Sequence, residues 1–130
     1  MSVDPGIRIL RVGVAILLLI HGIYRLAAGG VVPFGGFLTS KGIPFGTGVA
    51  WLLTVVEIVG CVLLLFGILT RPLVLWFAAE LVAGIVLVHA REGWFVVGGG
   101  RNGVEYSVLL IIALAAIAVS PRAPAGTART

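Results

Sequence analysis

Charged residues and cysteine are both scarce in this chain of 130 residues. Asp, Glu, Lys and Arg make up 11% of the chain, whereas 60% of its residues are hydrophobic and its mean hydropathy is +1.21. Soluble domains usually contain about a quarter charged residues, and a domain of this size could not bury so much apolar surface in water. The composition therefore excludes an ordinary water-soluble domain and predicts an integral membrane protein.

The single cysteine limits the chemistry that the chain can perform alone. Cys61 lies within an apolar run, and one thiol forms neither an intramolecular disulfide nor a dithiol redox pair. No spacing of Cys and His typical of zinc or haem sites occurs, so no metal site is predicted. Any electron transfer would then depend on a bound cofactor, a substrate or a partner protein.

The excess of positive charge is small and dispersed. Nine Lys and Arg residues stand against five Asp and Glu, and the basic residues occur singly between apolar runs. This distribution is typical of residues that flank membrane spans, and it lacks the basic stripe of a nucleic-acid-binding surface. We therefore expect contact with a lipid bilayer and no binding of nucleic acid.

Four apolar segments predict an all-α membrane protein, folded as a four-transmembrane-helix bundle within one domain, residues 1–120. A helix needs about 20 apolar residues to cross a hydrocarbon core about 30 Å thick. The predicted spans are residues 7–28, 45–69, 72–90 and 103–120. Thr70-Arg71-Pro72 is predicted to be the turn of a tight antiparallel hairpin, and residues 121–130 a disordered cytoplasmic tail.

The loop charges predict the orientation of the bundle. The side that carries both termini has the basic residues Arg8, Arg11, Arg71, Arg122 and Arg129. The opposite side has Arg25, Lys41, Arg91 and Arg101. This bias favours cytoplasmic termini. Two glycine-rich loops, residues 29–44 and 91–102, would then lie outside and fold back over the bundle.

Six titratable residues fall inside the predicted spans or at their ends: His21, Arg25, Glu57, Glu80, His89 and Glu105. Each costs roughly 2.5–3.5 kcal/mol in lipid, so such residues normally face a bundle interior and find partners. At a rise of about 1.5 Å per residue, five of them lie about 18–27 Å from the cytoplasmic ends of their helices, and Glu80 lies at about 12 Å. The sequence therefore predicts a polar pocket formed by those five residues, with Glu80 as a secondary candidate.

Structural explanations for these residues remain open. Arg25 and His89 lie near helix ends and could extend their side chains to the membrane surface. Glu105 could stabilise the N-terminus of the fourth helix. Glu57 could form a buried structural pair with a basic residue of the first helix, and Glu80 could face an oligomer interface.

Several short motifs occur in a characteristic order along the chain. They are His21-Gly22-Ile-Tyr-Arg25, Gly42-Ile-Pro44, Glu57-Ile-Val-Gly60, Phe66-Gly67-Ile-Leu-Thr70-Arg71 and Gly103-Val-Glu105-Tyr106. This ordered set resembles the DoxX family of four-helix bacterial membrane proteins over about residues 7–120. Arg25 stands where Lys is common in the family, which keeps the charge but changes its geometry.

The resemblance implies a bacterial inner-membrane location and a connection to redox chemistry. The family is named for a subunit of a thiosulfate:quinone oxidoreductase, and some relatives associate with redox or detoxification proteins. The resemblance therefore implies a partner redox protein and a quinone cofactor, and an oligomer interface at Glu80 adds a homo-oligomer as a partner to consider. Most members have no established activity, so the resemblance does not decide whether this chain is an enzyme.

Three functions remain open from the sequence. The chain could be a non-catalytic or accessory subunit of a membrane redox complex with a polar intramembrane pocket. Alternatively, it could be a quinone-linked oxidoreductase subunit acting on thiosulfate or another small sulfur compound, with His21, Arg25 and Glu57 holding the ligand and a proton exchanged at His21 or Glu57. A small oligomeric carrier is the third interpretation.

Overall fold

A computed structural model describes residues 3–98 and 101–121, and all regular structure within those ranges is helical. The α-helices of this part are α1 (Pro5–Ala27), α2 (Val31–Ser40), α3 (Gly46–Leu65), α4 (Thr70–Leu87) and α5 (Glu105–Val119). Among them α1, α3 and α4 are long and apolar enough to cross a membrane. The predicted all-α membrane class is therefore confirmed. Apart from Pro121, the predicted tail lies outside the described residues.

The helix α5 is the shortest of the four long helices that form the bundle. Its 15 residues extend about 22 Å at a rise of about 1.5 Å per residue. Compared with the predicted span 103–120, α5 begins two residues later, because Gly103 and Val104 belong to the loop before it. The backbone amide of Val104 donates to the carbonyl of Gly93 at 3.0 Å, and that of Gly103 to Phe95 at 3.1 Å.

The four long helices pack around a common axis in the order α3, α1, α5, α4. The helices α3 and α4 follow each other in sequence, yet they contact each other less than α1 contacts α3 or α4 contacts α5. At one end α1 begins and α5 finishes, and there Arg71 Nη2 donates to the carbonyl of Ser120 at 3.3 Å. We call this the terminal end of the bundle and the opposite end the loop end.

The turn between α3 and α4 lies four residues earlier than predicted. The chain reverses at residues 66–69, and Thr70-Arg71-Pro72 forms the first turn of α4 instead of the connection. A proline is tolerated there because its missing amide would have no partner within the helix. Gly67 has a φ of 76° and Leu69 a φ of 51°, so two left-handed residues make the reversal. A side chain on Gly67 would also overlap the guanidinium of Arg11.

The predicted loop 29–44 contains a helix that the sequence analysis did not identify. Pro33 and Gly35 read as helix breakers, but Pro33 lies in the first turn of α2, where it costs little. A Cβ on Gly35 would overlap the backbone of Thr47, so the glycine allows α2 to lie directly against α3. The helix therefore packs on the loop end, where Val31 and Leu38 form a small apolar cluster with Ala50.

The apolar core fills the terminal half of the bundle. Its members come from all four long helices and are almost completely buried: Val14, Ala15, Leu18, Cys61, Leu64, Val74, Phe77, Leu110, Ala113, Leu114 and Ile117. Many large apolar side chains face outward instead, such as Ile20, Leu75 and Leu109, which are 60%, 63% and 62% exposed. Such an apolar outer surface, in addition to an apolar core, is expected when lipid surrounds the protein.

Candidate functional site

A cavity of about 430 Å³ occupies the loop half of the bundle. Its walls come from α1, α3, α4 and α5, and Phe34 of α2 also contributes. Residues 88–98 and 101–104, which we call the roof segment, cover its loop end through Val96 and Asn102. The volume falls within the range of about 300–1,000 Å³ that is typical of small-molecule sites.

Arg25 is fixed in the cavity wall by three different partners. Its Nη1 atom lies 2.8 Å from Glu57 Oε2 and donates a hydrogen bond of 3.2 Å to Thr54 Oγ1. Its guanidinium also lies 4.9 Å from the ring centroid of Phe34, a distance at which a cation is attracted to an aromatic face. The side chains of Arg25 and Glu57 are only 14% and 4% exposed. The ion pair is therefore a buried, multiply contacted part of the wall.

Gly22 allows the ion pair to form. It is buried at the contact between α1 and α3, where a Cβ would lie 3.3 Å from Glu57 Cγ and 3.1 Å from Ile58 Cγ1. Because this position carries no side chain, the stem of Glu57 lies directly over α1 and its carboxylate reaches Arg25, one turn further along. The short sequence from His21 to Arg25 thus supplies both the charge and the space for its partner.

Glu80 of α4 brings a second carboxyl group to the cavity. It lines the wall together with Glu57, although the depth estimate had placed it below the other candidates. Its Oε2 atom is fully buried and has no hydrogen-bond partner among the described residues. Buried polar atoms are normally paired, so this oxygen is the group of the cavity that most clearly lacks a partner.

Two histidines line the cavity from different parts of the chain. His21 is exposed on α1, whereas His89 follows α4 and has its Nδ1 atom 2.8 Å from the carbonyl oxygen of Asn102. That contact joins the two ends of the roof segment. Among the residues that the structure describes, neither ring nitrogen of His21 has a hydrogen-bond partner, so both are available to a ligand, as is Nε2 of His89.

Glu105 does not line the cavity, unlike the other residues predicted to form the pocket. Its Oε1 atom accepts hydrogen bonds from the backbone amides of Val96 at 2.7 Å and Val97 at 3.3 Å. Glu105 is also the first residue of α5, where a negative charge stabilises the helix N-terminus. Its contacts therefore hold the roof segment against the bundle.

The cavity is open on the side between α1 and α5. Leu17, His21 and Tyr106 all line it, yet they are exposed on the bundle surface. The same two helices are in contact nearer the terminal end, where Val14 and Leu114 belong to one core cluster. The cavity therefore reaches the bundle surface beside these two helices, and we call this opening the lateral gap.

Sequence reasoning missed some polar members of the site. Thr54 is fully buried and Ser107 is 5% exposed; Thr54 holds Arg25, and Ser107 lines the cavity. Thr54 lies one helical turn before Glu57, and this i, i+3 spacing could have identified it. Within the described ranges, no group of three or more His, Cys, Asp or Glu residues is arranged to hold a metal ion.

These features define a helical membrane protein with an ion pair inside a lateral polar cavity. The chain belongs to the DoxX family, whose model matches residues 6–90, from α1 into the turn after α4. It is also 29% identical, over 110 residues, to the Bacillus subtilis (strain 168) protein named "Putative oxidoreductase CatD". That similarity covers 84% of this chain and 75% of the relative. No solved structure matches the chain.

Proposed function

We propose that this protein is a membrane subunit of a redox system and that its cavity binds the headgroup of a lipid-soluble quinone. A single observation carries the proposal: the cavity combines polar groups with apolar walls, and its lining residues Leu17 of α1 and Tyr106 of α5 are exposed on the lipid-facing surface. A ligand that resides in the bilayer can enter such a site without crossing water. The oxidoreductase name of the relative supports the same class of function.

The residues of the cavity fit a planar headgroup with two polar oxygens. Arg25 and the histidines offer N–H donors, while Phe34 and Phe77 line the cavity with apolar aromatic rings. When bound, a quinone supplies reversible transfer of two electrons and two protons. The chain itself would orient the headgroup, keep bulk water out and exchange protons at the imidazole nitrogens of His21 or at the Glu80 carboxyl group.

The lateral gap accounts for the tail of such a ligand. Leu17 is 47% exposed and Tyr106 is 46% exposed, and both border the cavity. A tail between these side chains would contact lipid while the headgroup stays inside. A small water-soluble substrate would not need this opening.

The chain would work with a partner protein that supplies or accepts the electrons. Its single thiol, Cys61, is fully buried in the apolar core and does not line the cavity. No dithiol within the chain can therefore pass electrons to a bound ligand. We place the protein in a bacterial inner membrane with both termini in the cytoplasm, as the loop charges favour.

An accessory role in recruiting that partner is favoured by the surface of the roof segment. Trp94, Phe95 and Val97 are 53%, 59% and 75% exposed at the loop end. A photo-crosslinker at position 94 should capture the same membrane-associated protein in repeated experiments in cells. Capture of lipid alone would remove this second role.

A direct test uses the purified full chain in lipid nanodiscs and a photoreactive short-tail quinone. We expect saturable labelling of peptides from α1, α4 and α5 that an unlabelled quinone competes away. Removing a charged hydrogen-bond partner costs about 1.5–3 kcal/mol, so Arg25→Gln should weaken binding by roughly tenfold or more. Arg91→Gln, which changes an exposed arginine outside the cavity, is the matched control. Labelling that does not saturate would exclude the proposal.

A further inference from the structure

We propose that the cavity selects an uncharged ligand with a hydroxyl or carbonyl group, rejects small oxyanions such as thiosulfate, and uses Glu80 as the selecting residue. This deepens the proposed function, on which it rests for the location of the ligand. The choice of ligand class follows from three features of the cavity: its charge balance, an unpaired oxygen and its apolar walls.

The first feature is that the permanent positive charge of the cavity is already balanced. Arg25 is the single Arg or Lys residue in the described lining, and its Nη1 atom lies 2.8 Å from Glu57 Oε2. Oxyanion sites use guanidinium or ammonium groups whose charge is available to the ligand, often in a bidentate contact. Here Nη1 is shared between Glu57 and Thr54, so an incoming anion would meet a guanidinium whose charge a carboxylate already offsets, whereas an uncharged carbonyl needs only one of its remaining N–H donors.

The second feature is the carboxyl group of Glu80. Its buried Oε2 atom has no hydrogen-bond partner among the described residues. When the carboxyl group turns this oxygen towards the cavity that Glu80 lines, the carboxylate accepts a hydrogen bond from a ligand hydroxyl and the acid donates one to a ligand carbonyl. An oxyanion would instead face a second negative group when Glu80 is ionised, and charge repulsion is strong in a site of low dielectric.

The third feature is the apolar part of the lining. Leu18, Phe77 and Leu110 are at least nine-tenths buried, and they surround the polar groups together with Leu81. A small dianion would lose its hydration against these walls without gaining a free cation, which is strongly unfavourable. An uncharged ring loses little hydration and packs against the same side chains.

The experiment measures the binding affinity of an anionic ligand and of an uncharged ligand separately, on the full chain in nanodiscs. The probes are radiolabelled thiosulfate and a short-tail ubiquinone, the latter in its quinone and quinol forms. Wild-type protein should bind the uncharged probes and not retain thiosulfate. Glu57→Gln frees the charge of Arg25, so thiosulfate binding should appear. The double variant Glu57→Gln/Glu80→Gln should bind thiosulfate about tenfold more tightly than Glu57→Gln alone, which corresponds to about 1.4 kcal/mol.

Glu80→Gln alone keeps the ion pair intact and tests the selecting residue if Glu57→Gln fails to fold. It should weaken binding of the quinol by about tenfold. Glu92→Gln, an exposed change outside the cavity, should leave all probes unaffected. Thermal unfolding of each variant identifies any loss that comes from misfolding.

The outcomes separate the inference from the proposed function. Thiosulfate bound by wild-type protein as tightly as the quinol, or Glu80→Gln without effect on either probe, would overturn the inference while quinone binding still stood. If no quinone or quinol binds but Glu57→Gln gains thiosulfate binding, the charge balance is supported and the proposed function fails.

Discussion

The terminal and loop halves of the bundle are built from the same four helices but have opposite interiors. In the terminal half, Leu64 and Leu114 are 0% and 1% exposed within a continuous apolar core. In the loop half, the space between the helices holds the Arg25–Glu57 ion pair and a cavity. The bundle is thus closely packed and apolar at one end, and it presents polar groups to a cavity at the other.

The difference arises from where the helices approach and where they diverge. Near the terminal end, Gly60 lets α3 lie close against Phe77 of α4, because a Cβ at this position would already be 3.0 Å from the phenylalanine ring. At the loop end, α5 begins only at Glu105, and the roof segment covers the cavity there. Apolar packing should therefore stabilise the protein mainly from the terminal half, whereas ligand binding and the buried ion pair belong to the loop half, and four substitutions test this division.

The largest effect on stability is expected at the buried ion pair of the loop half. Arg25→Met leaves the buried carboxylate of Glu57 without its cation, and breaking such a pair costs about 3–5 kcal/mol. Reversible unfolding in mixed micelles measures the loss, with Arg91→Met as the exposed control. Arg25→Met/Glu57→Met should recover most of the stability, because neither charge remains buried. A double variant as unstable as the single one would show that the ion pair is not the cause.

The next effect belongs to the terminal half alone. Leu114→Ala removes a fully buried side chain, and such truncations cost about 2–5 kcal/mol. Because Leu114 does not line the cavity, the affinity of the folded protein for a quinone should stay unchanged. Leu109→Ala, on the exposed face of the same helix, is the matched control. A change in affinity caused by Leu114→Ala would break the separation of the two halves.

A smaller, local effect is expected in the roof segment. Glu105→Gln weakens the hydrogen bonds to the amides of Val96 and Val97, and bonds to a charged group contribute about 1.5–3 kcal/mol. Hydrogen exchange at these two amides should accelerate by about tenfold or more, while exchange in the core of α3 stays slow. Glu92→Gln is the control on the same segment. Unchanged exchange at both amides would remove the anchoring role of Glu105.

The smallest effect concerns the contact between α1 and α3. Gly22→Ala places a Cβ 3.3 Å from Glu57 Cγ, so the ion pair must shift by a few tenths of an ångström. We expect a loss of at most about 1 kcal/mol and a slight weakening of ligand binding. Gly13→Ala meets nothing within 4 Å, so it should stabilise α1 by up to about 1 kcal/mol. Equal effects of the two changes on stability would show that Gly22 has no special role.

Much of the fold could be predicted from the sequence because lipid demands long apolar helices. The segments that became α1, α3 and α4 were recognisable from length and hydropathy alone. The helix α2 was not, since Pro33 and Gly35 break most helices and are acceptable here only through their positions in the first turn and against Thr47. The α3–α4 turn was misplaced because two left-handed residues, not the proline, make the reversal.

The site was harder to predict because depth along a helix does not give direction around the bundle. Counting residues placed Arg25 and Glu57 at the two limits of one layer, at about 27 and 18 Å from the cytoplasmic ends of their helices, and the structure brings them into contact. It ranked Glu80 below them, although helix packing puts that residue in the same wall. It could not foresee that Glu105 holds the roof segment, because its partners are backbone amides of a loop.

A structure of the full chain in a lipidic phase, determined with a short-tail quinone present, tests the central claim most directly. We predict a headgroup between Arg25 and Glu80 and a tail that leaves the bundle between Leu17 and Tyr106. A loop half in which the helices have closed into a dry, paired cluster, with the ligand absent or bound elsewhere, would contradict it.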